Sequence, residues 1–168
     1  IKKAWLLIFT GIVLYFIAES LYAILEIVYD VDMNETFPTI ADFFWCVGYI
    51  PLLIALAMMF NGYRKSGFPL GNTKLYILIA AVIILVFFLI TYFLLIPIIQ
   101  DPETSTVAKF FSLYCPIADM FIVIPAAILM YITSLYSKGT ISRPWKFLAF
   151  GFISFTVADL LYSYLGWQ

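Results

Sequence analysis

Apolar residues fill five long stretches of this chain, roughly 5–28, 40–61, 75–99, 107–136 and 146–166. The segments between them, Asp30–Thr39, Asn61–Lys74, Gln100–Thr106 and Ser137–Lys146, are polar and hold the Pro, Gly and Asn that favour turns. A helix rises about 1.5 Å per residue, so each stretch reaches across a hydrocarbon layer about 30 Å thick. A helix on a soluble core shows an apolar stripe; unbroken runs of this length are what a bilayer demands. The pattern predicts an all-α fold, a single polytopic transmembrane helical bundle of about five spans. Its loops are short, which makes successive helices antiparallel.

Composition sharpens the class. Of 168 residues, 65% are hydrophobic and only 11% charged, and the mean hydropathy is +1.06; soluble domains carry about 25% charged residues. Lys2 and Lys3 precede the first stretch, Arg64, Lys65 and Lys74 lie between the second and third, and Lys138, Arg143 and Lys146 between the fourth and fifth. The opposite loops hold only Lys109, with Asp30, Asp32, Glu35, Asp42, Asp101 and Glu103. Basic residues in short loops mark the cytoplasmic side. The expected topology therefore has a cytoplasmic N-terminus, Gln168 on the far side, and a location in the cell membrane as a multi-pass protein. The first stretch has no small-residue cleavage site and reads as a retained helix. Trp5, Trp45, Trp145 and Trp167 fall near the ends of stretches, the depth of an interfacial aromatic belt.

The same inventory narrows the chemistry. There is no His, so the usual zinc and haem ligand sets are missing and no metal or cofactor is expected. Without His the serines have no ordinary activating base, and neither Asp119 nor Asp159 is followed by the glycine of an intramembrane aspartyl protease motif. The chain is not expected to be an enzyme. Scattered basic residues make no footprint for nucleic acid. Cys46 and Cys115 read as small buried residues, and their spacing argues no disulfide.

Polar residues inside the spans carry the candidate chemistry. Tyr15, Glu19, Tyr22, Glu26 and Tyr29 recur at spacings of four, three, four and three, which sets them on one helical face. The fifth stretch repeats part of this 140 positions later: Gly11, Ala18, Glu19, Leu21 and Tyr22 correspond to Gly151, Ala158, Asp159, Leu161 and Tyr162. A shorter echo joins Tyr49-Ile50-Pro51 to Tyr114-Cys115-Pro116. Pro51, Pro116 and Pro125 lie inside spans, where each is expected to kink its helix and free a carbonyl. Asp119 adds a third intramembrane acid, with Ser112 and Cys115 on its face. No Lys or Arg accompanies Glu19, Asp119 and Asp159 at their depth, so some must be protonated or must meet an imported cation. The expected ligand or cation pocket comprises Glu19, Tyr22, Asp119, Asp159 and Tyr162.

Four motifs carry a likeness: the acid and tyrosine of the first stretch, Ile40-Ala41-Asp42-Phe43-Phe44-Trp45 with Gly48-Tyr49, Tyr114-Cys115-Pro116-Ile117-Ala118-Asp119, and Val157-Ala158-Asp159-Leu160-Leu161-Tyr162. Together they resemble the polytopic N-terminal membrane regions of prokaryotic signalling proteins that precede PAS, histidine-kinase or diguanylate-cyclase modules. The resemblance implies a sensory input domain with Glu19, Asp42, Asp119 and Asp159 at recurrent acidic positions. It also implies a longer chain that continues past Gln168 into a further helix and an output module. Expected partners are the lipid bilayer, a cytoplasmic signalling module or partner protein, and further copies of the chain. Repeated structure with midplane carboxylates also suits a small transporter or ion pathway, which is the alternative reading.

Overall fold

The computed structural model describes residues 2–32, 36–67, 70–136 and 142–165. It is helical throughout, and among the described residues five helices are long and apolar enough to cross a membrane. They are α1 (Lys2–Ile27), α2 (Ile40–Lys65), α3 (Thr73–Gln100), α4 (Thr106–Tyr136) and α5 (Ser142–Leu165). The protein is thus an all-α polytopic bundle of the kind the apolar runs predict. The expected positions of Glu35, Lys138 and Trp167 fall outside the described residues.

Helix starts are fixed by short polar side chains that satisfy otherwise unpaired N–H groups. Thr39 caps α2: its hydroxyl accepts the Ala41 N–H at 3.2 Å, while the Asp42 carboxylate accepts the Thr39 N–H at 2.6 Å and its hydroxyl at 2.9 Å. Asn72 caps α3 by accepting the Lys74 N–H at 2.9 Å. In the turn between α3 and α4, Asp101 accepts from the Thr104 hydroxyl and the Glu103 N–H. Those two bonds favour the ionised form and hold its carboxyl below the usual range.

Four helices make the core. α1 packs on α2, α2 on α4, and α4 on α5, while aromatic side chains close the ring between α5 and α1. Those closing pairs are Trp5 with Trp145 (ring centroids 5.7 Å apart), Tyr15 stacked on Phe155 (5.2 Å), and the Tyr22 and Tyr162 hydroxyls at 3.1 Å. Each pair is 140 positions apart, the offset of the sequence repeat. Equivalent residues meeting at both ends mean that α1 and α5 run parallel and in register, related by a local two-fold parallel to the helices. The shorter echo behaves alike, with Tyr49 and Tyr114 rings 5.9 Å apart.

The repeat does not extend to every role. A methyl group on Gly11 would lie 2.5 Å from Leu52, and one on Gly48 2.5 Å from the Tyr15 ring. These two glycines let α1 and α2 approach closely. Gly151, the partner of Gly11 in the repeat, faces open space.

α3 lies outside this ring, mostly exposed, and meets α4 and α5 through Ile90, Leu94, Leu95 and Ile98 near its C-terminal end. Its hydrogen bonding widens to a π-turn over Thr91–Leu95, where the Ile96 N–H bonds the Thr91 carbonyl five residues back. Pro97 follows. It has no N–H to give and its ring crowds the carbonyl four residues earlier, so the wider turn relieves both problems. α2 remains α-helical through Pro51, and α4 through Pro116 and Pro125. The clearest proline-linked irregularity in the described residues therefore falls in α3.

Trp145 lies near the start of α5, as its place at the end of an apolar stretch predicts, and its side chain turns inward: it is 1% exposed in the core, its indole N–H donating to the Tyr63 hydroxyl at 3.0 Å. A satisfied indole can be buried without penalty.

Candidate functional site

The ring of helices converges on a layer of polar side chains. Asp119 projects from α4 and is 2% exposed. Its Oδ1 accepts the Tyr49 hydroxyl of α2 at 2.7 Å, and its Oδ2 has no hydrogen-bond partner by distance and angle. Asp159 of α5 is the acid that most closely faces Asp119, and it also faces Tyr49. Tyr15 of α1 completes the layer, edge-on to Tyr49 with centroids 5.4 Å apart and its hydroxyl buried without a bond of good geometry. Beside them Cys46 and Cys115 are free thiols in mutual contact, and Tyr114 donates to the Cys46 carbonyl at 3.2 Å.

Local sequence explains why these groups meet. Tyr49 follows Gly48, whose missing side chain leaves the room that the Tyr15 ring occupies. Asp119 lies one turn beyond Cys115 and so shares its face. The repeat brings Asp159 to the register of Glu19.

The five sequence-named residues fall into two groups. Asp119 and Asp159 come together at the centre. Glu19 stands level with Asp159 but turns toward a more open rim, where Tyr22 and Tyr162 sit one turn further along α1 and α5. Glu19 accepts the Trp45 indole N–H at 3.3 Å and is exposed, though within electrostatic reach of Asp159. Tyr22 leans on Trp45, with centroids 5.6 Å apart, and meets Tyr162, which is 62% exposed. Asp42, the fourth acid of the resemblance, is occupied in capping α2.

The central layer adds to the expected pocket Tyr49, which sequence reasoning left out, and Tyr15, which it grouped with Glu19 and Tyr22 on one inward face. Tyr49 was visible only as part of an echo, and Tyr15 only as part of a stripe; the signal that could have joined them was the glycine beside Tyr49. Among the described residues no group of three or more His, Cys, Asp or Glu is arranged to hold a metal ion.

Chemically, the centre is a pair of carboxyls flanked by tyrosine hydroxyls and thiols. No Lys or Arg occurs in 4–63, 110–137 or 147–168, so no cation of the same helices neutralises the pair. Two adjacent carboxylates in low dielectric cannot both stay charged cheaply, and a proton or a cation must accompany them.

The fold and this site define a class: a multi-pass helical membrane protein with an acidic pair, one member buried, at the junction of four helices. No family model, curated protein or solved structure matches the chain, so geometry carries the functional reading.

Proposed function

We propose that this chain is the membrane-embedded input region of a signalling protein of the cell membrane. In this reading the Asp119–Asp159 pair takes up or releases a proton or a small cation, and α1, α2, α4 and α5 repack in response. One observation carries it: buried Asp119 and half-buried Asp159 face each other where four helices meet, with one Asp119 oxygen and the Tyr15 hydroxyl lacking a hydrogen bond of good geometry. A change of charge there acts on every helix of the ring at once, which is how a local event biases a two-state packing. α5 carries Asp159, and its N-terminal end, cytoplasmic in this reading, conveys the change to a cytoplasmic module. The basic loops support a cytoplasmic N-terminus in this reading.

Infrared difference spectroscopy of the protein in lipid nanodiscs tests the site. Stepping pH, or adding sodium, should produce a carboxyl band that disappears in Asp119→Asn or Asp159→Asn, together with altered amide exchange in α4 and α5. A spectrum in which no carboxyl responds overturns the reading. Sustained proton or sodium flux in proteoliposomes, lost in Asp159→Asn, would replace sensing by transport.

A further inference from the structure

The outer surface between α4 and α5 holds a cleft of about 420 Å³ lined by Met130 of α4 and by Lys146, Phe147, Phe150 and Ile153 of α5. Its origin lies in how α5 docks. Trp145 and Ala149 turn inward and are buried, so the adjoining face bearing residues 146, 147, 150 and 153 is left at the border with α4. Arg143 precedes Lys146 by three residues and Phe147 by four, which puts both cations at the start of one helical face and the aromatic wall behind them. Ile153, seven residues past Lys146, lies about 10 Å deeper along the helix. The cleft thus has a cationic mouth at one end of the bundle and an apolar floor running toward the bilayer centre.

We infer that this cleft holds one anionic glycerophospholipid, its phosphate at Lys146 and Arg143 and an acyl chain along Phe147, Phe150 and Ile153. Charge complementarity decides the occupant. Lysine and arginine at a helix end reach the headgroup level while their stems stay apolar, and basic pockets between transmembrane helices favour acidic headgroups. A second copy of the chain is a poorer occupant, because a symmetric interface brings the same patch to itself and would set each pair of cations against the other. The contrast with a second cleft supports the assignment. Between α3 and α4, Leu78, Val82, Ile83, Val123, Ile124 and Ala127 contribute to a lining without any charged group, so any lipid chain suits it equally.

Native mass spectrometry of the intact chain, released from micelles doped with phosphatidylglycerol or phosphatidylcholine of identical acyl chains, tests the inference. The expected result is one phosphatidylglycerol retained per bundle, favoured roughly tenfold or more over phosphatidylcholine. Replacing Arg143→Gln with Lys146→Gln should abolish the preference. Replacing Lys65→Gln with Lys74→Gln, which removes the same charge away from the cleft, should leave it. Equal retention of the two lipids, or a preference that survives the Arg143/Lys146 change, overturns the inference. So does an equal loss in the control pair, or a dimer that forms by displacing the lipid. Circular dichroism confirms that each variant keeps its helices.

Discussion

Asp119 shows how one side chain holds both structural and functional weight. Its Oδ1 satisfies the Tyr49 hydroxyl at the centre of the bundle, and a buried donor that loses its acceptor costs about 1–3 kcal/mol. Asp119→Asn keeps an oxygen for Tyr49 but cannot carry charge; Asp119→Leu keeps neither. The expected outcome is a stability within about 1 kcal/mol of the parent for Asn and a loss of about 1–3 kcal/mol for Leu, read from thermal unfolding in mild detergent. Equal losses in the two variants would show that the Tyr49 bond is not what Asp119 contributes to the fold. Separating the two effects matters, because only the Asn variant tests charge without dismantling the layer.

At the scale of helices, the α1–α2 crossing and its repeat-related surface on α5 make opposite predictions from similar sequence. Adding a methyl at Gly48 drives it into the Tyr15 ring at 2.5 Å. That ring is already hemmed in by Tyr49 and Phe155, so it has little freedom to yield. Gly48→Ala should cost about 1–3 kcal/mol, the usual range for overpacking, whereas Gly151→Ala should be nearly neutral. Detergent unfolding midpoints of the two variants decide the matter. Comparable losses at both positions would mean that α5 buries its glycine face as α2 does. The π-turn of α3 has a cause of the same local kind, a proline without an N–H placed seven residues after the end of a regular helix at Ile90.

For the whole molecule, the parallel register of α1 and α5 is the feature on which the candidate site depends. The Tyr22 and Tyr162 hydroxyls meet at 3.1 Å, so cysteines at these two positions should be joined by a short bifunctional thiol reagent. The background should carry Cys46→Ser and Cys115→Ser, and the joined product should migrate as a compact monomer in a denaturing gel. A cysteine pair at 22 and 121 should not be joined, since Phe121 points outward from α4. Failure at 22 and 162 with success at 22 and 121 would place α1 against a different face of the bundle and separate Asp159 from Glu19.

The sequence by itself determined the class, the five helices and their approximate ends, because a bilayer requires long apolar runs and leaves polar residues and turn formers for the connections. It also exposed the acids, since a carboxylate amid apolar residues stands out, and the 140-residue repeat, whose equivalent residues turn out to face one another. What only tertiary structure decided is which acids meet. Helical periodicity fixes the face a residue occupies but not the neighbour that face receives, so Asp119 and Asp159 come together while Glu19 turns to Trp45. Tyr15 and Tyr49 entered the layer for the same reason: Gly48 lets two helices close to a distance that spacing along one chain does not encode. Trp145 went into the core because Tyr63, 82 positions away, supplies an acceptor for its N–H.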